Sequence, residues 1–213
     1  MNNRIVVMSE MTKKIKKRLI FSLESLEVNR GDFVTIKGAS GSGKTTFLNV
    51  IGMNDHLSSG RYEFEGVNVE NISPKDKLKI KRNKISFVFQ DFGLIEEENI
   101  NFNLEVALRY TKFNKKEKTD LKMKALEQVK LNKNLKTSVS ALSGGEKQRV
   151  ALARVILKPS IMILADEPTG SLDSKNKDIV TEILMQQAAN GKAVIVVTHD
   201  ETLAAKGNKT LIL

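Results

Sequence analysis

The sequence has no cysteine and no tryptophan, and only two tyrosines and three prolines in 213 residues. Without cysteine, disulfides and thiolate metal sites are excluded, and a reducing cytoplasm is the natural setting. Without tryptophan and with little tyrosine, few platforms exist on which nucleobases could stack. Lysines nevertheless crowd 13–18, 75–84, 112–124 and 130–136, and the formal net charge is +10. That balance suits a solvated lysine-rich surface with some attraction to anionic headgroups near a membrane partner; no nucleic-acid partner is expected. Long hydrophobic runs are missing too. The longest, IMILA (161–165) and AVIVV (193–197), have five residues each, far too few to cross a bilayer. MNNRIVVMSEMTKK has too short an apolar stretch for a secretory leader, so none is expected.

What is present suits one globular domain with a subdomain inserted. FVTIK (33–37) is a short apolar run entering GASGSGKT (38–45), and KTTFLNVIGM (44–53) has helical composition. The order is strand, glycine loop, helix. SSGRYEFEG (58–66) reads as turn and strand. Ser73-Pro74-Lys75-Asp76 reads as a helix start, with Ser73 as cap. ISFVFQ (85–90) is a candidate buried strand. Strand signals then vanish until 141, while Leu121, Ala125, Leu126 and Val129 recur at helical spacing in 115–131. Alternation resumes with helix 145–157, strand 161–165, helix 174–189 and strand 193–197. This pattern predicts an α/β core with a parallel sheet and helices on its faces.

GASGSGKT fits the spacing of a phosphate-binding loop. Its glycines let backbone N–H groups turn toward phosphates, Lys44 neutralises β- and γ-oxygens, and the Thr45 hydroxyl suits Mg²⁺. IMILADEP (161–168) delivers Asp166 to a strand end, where it suits the metal, while Glu167 is placed to orient or deprotonate a water. Gln90 and His199 are expected at the ends of strands flanking the phosphate-loop strand, where they could sense a γ-phosphate. His56 reads as surface. LSGGEKQRV (142–150) opens a helix with two glycines, which cost helix stability. A bare backbone at Gly144 and Gly145 suits a second phosphate contact.

Taken together, GASGSGKT, FVFQ, LSGGEKQRV, ILADEPTGSLD and VTHD resemble, in order and spacing, the ATP-binding cassette (ABC) ATPases. FVFQDFGLI with DEPTGSLDS is most similar to the branch serving lipoprotein-release, macrolide-export and antimicrobial-peptide-export permeases. The resemblance implies a P-loop NTPase (RecA-like) parallel-sheet core with an N-terminal antiparallel β subdomain and an inserted helical subdomain. It implies one nucleotide-binding domain over 1–213, with core and β subdomain at about 1–90 and 142–213 and the helical subdomain at about 91–141. The implied nucleotide contacts are Gly38, Ser40, Gly41, Ser42, Gly43, Lys44, Thr45 and Thr46, with Ser143, Gly144, Gly145 and Asp173 acting across a dimer. Glu167 is the implied general base, His199 the switch histidine, and Gln90 the hinge glutamine touching Mg²⁺ or water. Thr45, Gln90 and Asp166 are the implied metal residues.

The resemblance also implies a head-to-tail homodimer around two ATP and a separate permease that docks on the helical subdomain. The chain would then be cytoplasmic and peripheral on the inner face of the membrane. One phosphate loop wraps one side of a triphosphate, and a partner's helix N-terminus can supply the other. An export ATPase is the leading reading; a regulatory ATPase of the cell-division type is the alternative. A soluble cassette acting on DNA or ribosomes is disfavoured by the single cassette and the lack of sustained heptads. Where the family places an aromatic for adenine, MSEMTKKIKK offers only Met and Ile, so Met11 or Ile15 is expected on the adenine face. The chain stops at TLIL (210–213), and no C-terminal regulatory extension is expected.

Overall fold

The computed structural model describes residues 3–213. Met1 and Asn2, which open the stretch in which no leader is expected, lie outside the described residues. Strands β1 (Arg4–Ile15) and β2 (Arg18–Asn29) pair antiparallel. After β3 (Phe33–Lys37) the chain adds β4 (Ser59–Phe64) and β5 (Val67–Asn68) to that first sheet, in the order β2-β1-β4-β5. Midway along β1, Glu10 takes a positive φ of 50° and the register to β4 shifts between Ser9 and Thr12. A bulge of this kind changes which face each later residue occupies. Val6 and Met8 point inward before it, Met11 and Lys13 after it.

Strands β6 (Ile85–Val88), β7 (Met162–Asp166), β8 (Ala193–Val197) and β9 (Lys209–Ile212) join β3 in a parallel sheet of order β6-β7-β8-β3-β9. The parallel core and the separate antiparallel sheet agree with the expected architecture. One detail differs. Of the strands leading to Gln90 and His199, only β8 flanks β3, because β6 sits at the sheet edge beside β7.

Alternate residues of the parallel strands feed two cores. Met162, Leu164, Ile195 and Val197 pack with Ile36, helix α1 (Lys44–Ile51) and the antiparallel sheet. Ile163, Ala165, Val194 and Val196 pack on the other side with residues of the segment between β6 and the LSGGE sequence. Burying each of the larger of these side chains contributes about 1.5–3 kcal/mol, more than a surface ion pair at about 0–1 kcal/mol. The apolar strands therefore fix where Asp166 and His199 emerge.

The remaining helices start where local caps direct. In α2 (Pro74–Lys84) Ser73 accepts from the Asp76 N–H, and Pro74 opens the helix. Helix α3 (Ile100–Leu108) is capped by Asn99, and α4 (Lys115–Gln128) by a reciprocal box of Asn114 and Glu117. Both pack on α5 (Gly144–Leu157). Asp173 caps α6 (Ser174–Ala189), and Asp200 caps the short α7 (Glu201–Ala204).

Candidate functional site

The loop between β3 and α1 turns on glycines: Gly41 has φ 76° and Gly43 φ 95°, both left-handed conformations that side chains resist. A Cβ at Gly43 would also stand 2.6 Å from Ile20 Cγ2. Lys44 is buried and folds back over the loop, donating to Gly38 O at 2.9 Å and Ala39 O at 2.7 Å. Ser42 Oγ is buried and has no hydrogen-bond partner among the described residues.

Over this loop opens a cavity of about 740 Å³. Ser40, Gly41 and Gly43 through Thr46 form one wall. Gln90 enters from the turn after β6, Asp166 and Glu167 from the end of β7, and His199 from just beyond β8. All emerge from the C-terminal edge of the parallel sheet, where crevices of open α/β sheets form. The structure thus brings together Lys44, Thr45, Gln90, Asp166, Glu167 and His199. Gln90 lies two residues past β6 rather than within the strand. His56 is exposed beside Asp55, away from this cavity.

Glu167 is the strained member, with φ 46°. Its N–H donates to Val197 O at 2.9 Å, and Oε2 accepts from the His199 N–H at 3.2 Å. Oε1 stands 3.5 Å from His199 Nε2 and is buried with no hydrogen-bond partner among the described residues. A left-handed non-glycine residue costs about 1–3 kcal/mol and persists where its surroundings hold it. Here the hydrogen bonds to Val197 and His199 do so, and they leave one carboxylate oxygen without a hydrogen-bond partner beside His199.

Among the described residues, no group of three or more His, Asp, Glu or Cys is arranged to hold a metal. Thr45, Gln90 and Asp166 share the cavity, offering one hydroxyl, one amide and one carboxylate. That donor set suits Mg²⁺ carried largely by waters and substrate phosphates.

Ser143, Gly144, Gly145 and Asp173 do not line this cavity. Ser143 caps α5: its Oγ accepts from the Glu146 N–H at 3.3 Å, and its own N–H donates to Glu146 Oε2 at 3.0 Å. The Ser143 N–H, then Lys133, hold the Glu146 carboxyl below its ordinary range. The two glycines are bare for different reasons. A Cβ on Gly144 would meet only Phe92 Cζ, at 3.9 Å, whereas one on Gly145 would lie 2.5 Å from Asn176 Cγ. Gly145 therefore has a packing reason within its own chain that the sequence does not display. Asp173 accepts from the Asn176 N–H at 2.9 Å and from Asn176 Nδ2 at 2.6 Å, which holds its carboxyl below the ordinary range.

Neither residue expected on the adenine face is in the cavity. The bulge at Glu10 turns Met11 into the core, where it is fully buried, and Ile15 is half-exposed at the end of β1. Arg18 and Ile20 of β2 line the cavity instead.

A family profile described as ABC transporter matches residues 23–170. The chain is 37% identical over 188 residues to the uncharacterized ABC transporter ATP-binding protein YknY of Bacillus subtilis, covering 88% of this chain and 82% of that protein. It is 36% identical over 207 residues to the macrolide export ATP-binding/permease protein MacB of Campylobacter jejuni. That alignment covers 97% of this chain and spans only 32% of MacB. Among solved structures, the post-hydrolysis dimer of the ATP-binding cassette MJ0796 bound to ADP and Pi superposes with a TM-score of 0.88 at 32% identity. The superposition covers 98% of this chain and 94% of that one. With these matches joined to the phosphate loop and its cavity, the chain belongs to the ABC transporter family.

Proposed function

We propose that the chain is the ATP-binding and ATP-hydrolysing subunit of an ABC transporter, paired head-to-tail around two ATP and driving a separate export permease. The convergence of Lys44, Asp166, Glu167 and His199 on one cavity carries this reading. The triphosphate would lie along Gly38 to Thr46, with Lys44 exchanging its carbonyl partners for β- and γ-phosphate oxygens. Thr45, Asp166 and Gln90 would hold Mg²⁺, which supplies neutralising charge to the phosphates. Glu167 takes a proton from water as the water oxygen attacks the γ-phosphorus, and the β–γ bridging bond breaks to leave ADP and phosphate. His199 holds that carboxylate through its backbone N–H and would meet the γ-phosphate with its imidazole. The separation of Ser143, Gly144, Gly145 and Asp173 from their own chain's cavity supports their serving the ATP of a second copy.

A groove of about 380 Å³ supports a membrane partner. Phe87, Phe89, Val106 and Tyr110 line it, and Phe89 and Tyr110 are 42% and 66% exposed. Arg82, Arg154 and Lys158 bring positive charge, and no carboxylate is among the lining residues. An apolar permease segment bearing an acid would complement both properties. We read 91–141 as the helical subdomain that forms one wall. The chain has no helix long and apolar enough to cross a membrane among the described residues, so it would sit on the inner face through that permease. Relatives named for macrolide export and, as a probable assignment, syringafactin export favour export over the cell-division alternative.

Single-turnover hydrolysis by purified Glu167→Gln tests the chemistry. Retained ATP binding with blocked hydrolysis is expected; turnover at the wild-type rate removes Glu167 as the base. Copurification of a multispanning protein from solubilised membranes, lost on Tyr110→Glu, tests the partner.

A further inference from the structure

Two segments that stand outside the phosphate-loop cavity are tied to each other. Helix α5 begins at the Ser143 turn, and α6 begins at Asp173. Asn176, in the first turn of α6, touches both. Its Nδ2 donates to Asp173 Oδ2 at 2.6 Å, while its Oδ1 accepts from Arg149 of α5. Its amide also covers Gly145, leaving no room there for a Cβ. Nearby, the buried Gln148 Nε2 donates to Pro168 O at 2.8 Å, joining α5 to the end of the β7 segment as well.

Capping alone does not require this arrangement. The cap of α6 is already made by the Asn176 backbone N–H on Asp173 Oδ1, at 2.9 Å. The side chain adds a second bond to the same carboxylate and extends the link to α5. Arg149 has no other hydrogen-bond acceptor among the described residues, and its Nε is buried unpaired. Asn176 is thus the junction of a chain running from Asp173 through its amide to Arg149 and Gly145.

We propose that Asn176 is a positioning residue that locks Asp173 to the Ser143–Gly145 turn, so that both meet a second copy's ATP as one preformed surface. This rests on the head-to-tail reading. Groups held in register before docking lose less freedom on docking than two segments moving separately. Asn176 itself needs no contact with nucleotide.

The test uses the full chain carrying Glu167→Gln, so that bound ATP is not consumed. ATP affinity of the dilute monomer is measured beside the ATP-driven monomer–dimer equilibrium by sedimentation. Asn176→Ala should leave monomer affinity within about twofold, because the phosphate loop is untouched, and should weaken the dimer about tenfold, the scale of one charge-assisted hydrogen bond. Arg149→Met breaks the other end of the link and carries the test if Asn176→Ala is unstable. The double variant should be no weaker than the weaker single. A dimer unchanged by either single variant, or monomer affinity falling in step with the dimer, overturns the positioning role. If the parent forms no ATP-driven dimer at all, the head-to-tail reading fails and this proposal with it.

Discussion

At the phosphate loop and its cavity the unpaired atoms belong to the loop and the strand end themselves, Ser42 Oγ and Glu167 Oε1; at the Ser143–Asp173 surface the cap groups are paired, and the unpaired atoms, Gln148 Oε1 and Arg149 Nε, belong to α5. In the loop Ser42 Oγ is buried without a partner and Lys44 bonds to its own loop's carbonyls, and in the cavity Glu167 is strained with Oε1 buried and unpaired. On the other surface, Ser143 and Glu146 cap each other and both oxygens of Asp173 are engaged by Asn176. Buried unpaired groups gain most when a ligand supplies their bonds. A surface whose cap bonds are already made gains by being rigid. One region is built to be filled, the other to be presented.

The largest effects should break the first region. Lys44→Ala should abolish ATP binding measured by equilibrium dialysis, since the main counter-charge for the γ-phosphate is lost. Glu167→Gln should bind ATP and hydrolyse it at least ~10²-fold more slowly in single turnover, the scale of a lost general base.

The second region should break through packing. Gly145→Ala should cost about 1–3 kcal/mol in thermal unfolding, the range for forced overpacking. Its Cβ would lie 2.5 Å from Asn176 Cγ. Gly144→Ala should melt like wild type. Adding Asn176→Ala to Gly145→Ala should recover much of the loss, because the overlapping amide is gone.

A smaller effect concerns Arg18, which lines the cavity. An exposed cation over a π-face is worth about 0.5–1 kcal/mol, so Arg18→Ala should weaken nucleotide binding about two- to fivefold. Arg18→Tyr should tighten it in competition binding. Met11→Tyr should instead destabilise the fold, since Met11 is fully buried.

A pH-dependent effect concerns the groove lined by Phe87, Phe89 and Tyr110. Burial, then the Arg154 charge, pushes Lys158 down from 10.5 to about 8. Below that value Lys158 is protonated folded and unfolded, and its burial cost is fully present. As pH rises from about 8 toward 10.5 the folded state releases its proton first, so stability rises. In urea titrations, wild type should gain stability relative to Lys158→Met across that window and not below it.

Much of this was legible in the sequence because it is local. FVTIK, IMILA and AVIVV fell on β3, β7 and β8, Ser73 is a true cap, and the helix expected over 174–189 is α6. The meeting of the six residues in one cavity could be read because each lies within two residues of a strand end or begins a helix beside a glycine turn. What escaped depends on contacts distant in sequence. The bulge at Glu10 has no local marker, so Met11 was expected on the wrong face. The edge place of β6 follows from pairing order, which spacing does not reveal. Asn176 reads as an ordinary helix residue until Gly145 and Arg149 are seen beside it.

The central claim is that the filled and the presented regions of one ATP site come from different copies. The lack of native cysteine makes this directly measurable. Ser40 and Gly144 are exposed on the two regions, whereas Leu142 is buried and Ser42 Oγ is enclosed. Chains carrying Ser40→Cys and differently tagged chains carrying Gly144→Cys are mixed and treated with a short thiol cross-linker, with and without ATP. The double-cysteine chain is treated alone at high dilution. The account expects mixed covalent dimers whose yield rises with ATP, and little linkage within the dilute chain. Efficient linkage within one chain, with no mixed dimer at any ATP concentration, would contradict it.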